Sequence, residues 1–151
     1  MRDIDFIVLH CTATQPTATV AGILRYWRAE LGWQNPGYHY LVAADGTVHH
    51  LQPLAQVANG VKGLNHRAVH LSYIGGIDPQ GRPADTRTPA QYEALRRVLE
   101  TLLHELPQAQ VAGHYHFASK ACPSFDVPRW LRRIGVPEGR IYDNGREAPV
   151  R

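Results

Sequence analysis

The run Ile4-Asp5-Phe6-Ile7-Val8-Leu9 constrains the fold more than any other stretch, because it is almost continuously apolar and stops at His10-Cys11 and the turn-prone Thr12-Ala13-Thr14-Gln15-Pro16. A short apolar run bounded by turn signals reads as a strand buried in a sheet. It delivers His10 at its carboxyl end. With 151 residues, 44% of them hydrophobic, the chain has enough apolar material for one core. At that length ~70% of the extended-chain surface is buried on folding, so neither a disulfide nor a structural metal is required. A metal, if bound, would be functional.

Further along, Val20, Ile23, Leu24, Trp27 and Leu31 recur every three to four residues, which predicts a helix capped by Thr19 and stopped at Gly32. Tyr38 to Ala43 and Thr47 to Leu51 flank Asp45-Gly46, a hairpin signal. Residues 52–67 carry glycines, asparagines and a proline without periodicity and read as an irregular surface loop. Val69 to Ile74 returns as a strand closed by Gly75-Gly76, and Thr88-Pro89-Ala90-Gln91 opens a helix with a capping box. The stripe Tyr92, Leu95, Leu99, Leu102 and Leu106 lays that helix across one face of the sheet. A short strand at Gln110 to Ala112 and a short helix from Asp126 to Ile134 complete the reading. The expected fold is α/β (α+β): a single domain over residues 1–135, with a central mixed sheet of about five strands flanked by helices, and a loose tail over 136–151.

The chemistry concentrates after the last strand, where His114, His116, Lys120 and Cys122 fall within nine positions. Zinc prefers imidazole nitrogen and thiolate sulfur, and a catalytic site needs three protein ligands with a fourth position open. His10, also at a strand's carboxyl end, supplies a third ligand, and ligands on such sheets favour those ends. Spacing alone leaves His114 and His116 as alternatives. Cys11 reads as a small buried hydrophobe, and His49, His50, His66, His70 and His104 are given no functional role. His39 points away from the face of its neighbours Tyr38 and Tyr40.

Sixteen Lys and Arg against thirteen Asp and Glu give a net charge of +3, with the basic residues scattered and paired only at Arg96-Arg97 and Arg132-Arg133. That pattern argues against nucleic acid as the partner. No apolar run approaches a membrane span, and the first residues do not read as a secretory signal, so the chain is expected to be made in the cytoplasm. The His-Glu-x-x-His pattern of the common zinc peptidases is absent from the sequence.

Five segments in order, His10-Cys11-Thr12-Ala13-Thr14, Gly37-Tyr38-His39-Tyr40 with Asp45-Gly46-Thr47-Val48, Gly75-Gly76-Ile77-Asp78, Thr88-Pro89-Ala90-Gln91, and Lys120-Ala121-Cys122-Pro123-Ser124-Phe125-Asp126, carry a resemblance. The chain resembles the zinc-dependent N-acetylmuramoyl-L-alanine amidases of the phage-lysozyme and peptidoglycan-recognition type. The resemblance implies a zinc ion held by His10, His114 and Cys122, catalytic roles for Tyr38 and Lys120, and a central mixed sheet with the zinc in a groove on one face. It implies hydrolysis of the amide between N-acetylmuramic acid and L-alanine, with peptidoglycan or muropeptides as partners, no nucleic acid, no membrane insertion and a monomeric state. A phage or prophage endolysin, reaching the wall through a phage pore or by lysis, is the expected setting. The alternatives are a cytoplasmic muropeptide-recycling amidase and a non-catalytic peptidoglycan-binding module. One departure stands out: many relatives have a groove histidine where this chain has Gly60.

Overall fold

The computed structural model describes residues 2–148. Its centre is the predicted apolar strand, β1 (Phe6–Cys11), which pairs in parallel on both sides. One neighbour is β4 (Ala68–Tyr73), the other β5 (Gln110–Gly113). Beyond β4 lies β2 (Tyr40–Val42), parallel to it, and then β3 (Val48–His50), antiparallel to β2. The result is a five-stranded mixed sheet in the order β3-β2-β4-β1-β5, as the sequence leads one to expect. The hairpin turns at Asp45-Gly46, where Gly46 takes φ +88° and donates its N–H to Ala43 O. A positive φ of that kind strains any residue with a side chain.

The two faces of the sheet are covered unequally. Alternation sends Ile7, Leu9, Cys11, Val69, Leu71, Tyr73 and Val111 to one side, where they form the main core with α2 (Pro89–Glu105) and α3 (Val127–Arg133). The predicted capping box starts α2: Thr88 Oγ1 accepts from Gln91 N and Gln91 Oε1 accepts from Thr88 N. Its stripe Leu95, Leu99 and Leu102 is fully buried, while Tyr92, also expected in the stripe, is 39% exposed. Tyr92 lies in the first turn, where its hydroxyl instead donates to Asp85.

The opposite face has two smaller apolar clusters. Ile23, Trp27, Leu41 and Ile74 form one beneath the first helix, and Val8, Val61 and Ala68 form the other beneath the 52–67 loop. The first helix is not uniform. It runs as α1 (Val20–Arg25), capped by Thr19 as expected, and then widens into a π-helical turn, Tyr26–Glu30, in which Leu31 N reaches back to Tyr26 O. Periodicity read over twelve residues does not register one inserted residue, so the sequence reading merged the two.

The segment after Gly135 does not hang loose as expected. Ile141 is buried and bridges Val111 on β5, and Tyr142 N donates to Val111 O, which covers the outer edge of that strand. Arg140 donates to the carbonyls of Ala109, Leu103 and Leu106, capturing the end of α2. Tyr142 packs against Phe6 and Phe117. Polar composition concealed these few anchoring contacts. The remainder of the predicted tail, 149–151, lies outside the described residues. Arg140→Ala is expected to lower stability by about 1–3 kcal/mol, since it removes bonds to part-buried carbonyls, measurable as a lower Tm; an unchanged Tm would leave the segment without a structural role.

Candidate active site

Parallel pairing brings the carboxyl ends of β1 and β5 side by side, with Leu9 opposite Gly113 in the register. The residues that follow each position are His10 and His114, and their rings lie 4.8 Å apart between centroids. Cys122 returns to the same point on a loop pinned by three hydrogen bonds. Tyr115 N donates to Cys122 O, Tyr73 OH to Pro123 O at 2.7 Å, and Ser124 Oγ to Gly76 O at 2.9 Å. Gly76 is required there, because a Cβ on it would stand 2.4 Å from Cys11 Sγ.

Ligand atoms of His10, His114 and Cys122 all lie within 4.8 Å of one another. His10 Nδ1 is 3.8 Å from Cys122 Sγ, and the sulfur also receives the Cys11 N–H at 3.1 Å. Two nitrogens and a sulfur at this spacing suit zinc, which takes such donors at about 2.0–2.3 Å. His116, the alternative left open by spacing, faces elsewhere. It is buried behind Tyr115, and its Nδ1 accepts from Gly113 N at 2.9 Å.

The electrostatics favour neutral imidazoles. Burial, followed by the nearby His70 and His114 rings, holds His10 well below the ordinary imidazole value. Burial and then Lys120 bring His114 down to about 4. Both rings therefore have a lone pair available near neutral pH. Burial and the adjoining Cys11 push the Cys122 thiol up, while Lys120 acts in the opposite direction.

Tyr38 and Lys120 line the same groove as the three ligand candidates. The Tyr38 ring packs 5.1 Å from that of His10, and its hydroxyl donates to Cys11 O at 3.1 Å. Burial first, then the charges of Cys122 and Cys11, raise the phenol far above its usual range. Lys120 is exposed at the groove's edge. The groove measures about 1400 Å³, above the roughly 300–1,000 Å³ of a small-molecule pocket. Ile23, Tyr26, Trp27, Leu31 and Trp33 form one wall, and Asn59, Gly60, Val61, Lys62 and Asn65 form the other.

Sequence reasoning passed over two histidines on this face. His70 is fully buried beside His10, with 2.8 Å between His10 Nε2 and His70 Nδ1. His39 accepts the His70 backbone N–H at Nδ1 and bonds Gln56 O through Nε2. The usable signal was parity. In Ala68-Val69-His70-Leu71-Ser72-Tyr73 the polar His70 and Ser72 alternate with large apolar residues, which sets them on the face away from α2.

A groove with two histidines at the carboxyl ends of parallel strands and a cysteine brought to them by a loop defines a class, and residues 1–125 match it: the chain belongs to the N-acetylmuramoyl-L-alanine amidase family. Among individual proteins, it is 41% identical to the endolysin of Escherichia phage T7 over 131 residues, covering 85% of this chain and 86% of that protein. It is 42% identical to the endolysin of Klebsiella phage KP32 over 129 residues, 84% and 85% of the two chains. Among solved structures, the Ph2119 endolysin from the Thermus scotoductus MAT2119 bacteriophage superposes with a TM-score of 0.76 at 25% identity, over 89% of this chain and 87% of that one.

With three candidate donors, loss of one leaves two. Cys122→Ser is therefore expected to weaken Zn²⁺ binding by more than the roughly 10–100-fold that follows loss of a group merely touching a ligand. Chelator competition on the purified protein measures this, and undiminished affinity would remove Cys122 from the set.

Proposed function

We propose that the protein is a phage-type endolysin that hydrolyses the amide between N-acetylmuramic acid and the L-alanine of the stem peptide, with one Zn²⁺ held by His10, His114 and Cys122. The observation that carries this reading is the three-donor group lining a groove of about 1400 Å³, in a chain of the amidase family. A glycan strand bearing a peptide needs a site of more than small-molecule size. The T7 and KP32 phage relatives, endolysins by name, support peptidoglycan as the substrate and the wall as the place of action, reached after release from the cell that makes the protein. Among the described residues, no helix is long and apolar enough to cross a membrane.

When bound, zinc supplies an acidified water and polarises the scissile carbonyl. The chain's own residues do the remainder. The Cys122 thiolate lowers the formal charge of the centre, and the Lys120 ammonium at the groove edge restores positive potential toward the oxygen that becomes negative during attack. Tyr38 offers a hydroxyl beside His10 as a hydrogen-bonding group for the attacking water or the carbonyl oxygen. The aromatic wall from Tyr26 to Trp33 gives the sugar or peptide an apolar surface to lie on.

Mass spectrometry of peptidoglycan digests tests the activity. Stem peptides beginning at L-alanine should appear, vanish with a chelator and return with Zn²⁺. A folded, zinc-loaded protein that releases nothing would make the groove a binding site instead. Intact sacculi compared with soluble muropeptides distinguish a lysin from a recycling enzyme. Lys120→Ala is expected to lower kcat by about 10²–10³-fold with Zn²⁺ still bound, and unchanged turnover would exclude Lys120 from the chemistry.

A further inference from the structure

Behind the ligand candidates runs a chain of hydrogen bonds whose direction can be worked out atom by atom. Val61 N donates to Asn65 Oδ1 at 2.7 Å, so that atom is the amide oxygen and not the nitrogen. The same oxygen lies 2.8 Å from His70 Nε2. An oxygen of this kind only accepts, so His70 Nε2 carries a hydrogen. In the neutral ring, His70 Nδ1 is then bare and can only accept. Its partner at 2.8 Å is His10 Nε2, which must donate. The one nitrogen of His10 left with a free lone pair is Nδ1, the atom 3.8 Å from Cys122 Sγ.

We propose that His70 is a positioning residue for the metal centre: held by Asn65, it accepts the His10 Nε2 hydrogen and so fixes His10 with its Nδ1 lone pair toward His114 and Cys122. The ring of His70 is itself held by backbone. A Cβ on Gly60 would stand 2.3 Å from His70 Nδ1 and 2.4 Å from its Cγ, so the loop lies directly against the imidazole. A side chain at position 60 and the imidazole at position 70 compete for one space. Behind the ring, His39 stacks at 5.9 Å between centroids and accepts the His70 backbone N–H. Histidine is thus fixed at both ring nitrogens and on its edge, as a group that orients a metal ligand needs to be.

The proposal rests on the metal reading of His10, His114 and Cys122, and its test separates the two. Zn²⁺ affinity of the full chain is measured by competition with a chromophoric chelator, alongside thermal unfolding of the metal-free form. His70→Leu, which keeps bulk but removes the acceptor, is expected to bind Zn²⁺ about 10–100-fold more weakly. His70→Asn, whose amide oxygen replaces Nδ1, should recover most of that loss, which a purely space-filling role would not produce. A folded His70→Leu protein with undiminished affinity, or a His70→Asn protein no better than His70→Leu, would overturn the proposal while leaving the metal reading in place. An unaltered protein that binds no Zn²⁺ would remove both. Should His70→Leu fail to fold, long-range ¹⁵N–¹H NMR of the unaltered metal-free protein decides the matter: hydrogen on Nε2 of both His10 and His70 is expected, and hydrogen on Nδ1 of either would overturn it.

Discussion

The parallel pairing of β1 with strands on both sides is the constraint from which the site follows. Its hydrogen-bond ladders place Leu9 opposite both Leu71 and Gly113, and so put His10 level with the end of β5 and two residues beyond His70 in the β4 register. Side chains alternate across a strand, so a slip of one residue would turn His10 toward α2 and send Leu9 into the groove. Burial of Ile7, Leu9, Val69 and Leu71 against α2 opposes that slip. The apolar face therefore sets the geometry of the polar one.

The polar face solves a different problem, that of laying an irregular loop on a sheet without stranding its backbone. Arg2 accomplishes part of this by donating to the carbonyls of Leu54, Gln56 and Asn65, which span most of the 52–67 segment. His39 meets Gln56 O, and Asn65 receives Val61 N. The loop is stapled by polar bonds at several points, with Val61 and Leu64 packing in the small cluster beneath it and Leu54 against the main core. Buried networks of this kind hold shape only when every member has its partner. In this segment Gly60 and Asn65, which line the groove, are also the residues that lie against His70.

Much of the architecture was legible in the sequence because it rests on local signals: the apolar run of β1, Asp45-Gly46 for the hairpin, and Thr88 with Gln91 for the start of α2. The grouping of His10 with His114 and Cys122 came from strand ends and donor chemistry, and the choice between His114 and His116 needed a family resemblance. What stayed hidden depends on tertiary contacts. His70 reads as one more histidine until β4 is laid beside β1, and Gly60 reads as loop punctuation until the imidazole is seen in the space a side chain would fill. Ile141 and Tyr142 sit in a polar segment whose two apolar anchors carry no periodicity. Tyr26–Glu30 escaped because a π-turn alters the helix by one residue.

That turn has a bearing on how the groove can vary. Each residue advances an α-helix by about 100°, so a stretch holding one residue more than an α-turn rotates everything after it relative to the residues before. Ile23, ahead of the turn, and Leu31, behind it, both reach the groove. The extra residue between them sets how the two are turned relative to each other. The main core against α2 lies on the other face of the sheet and takes no part in that turn.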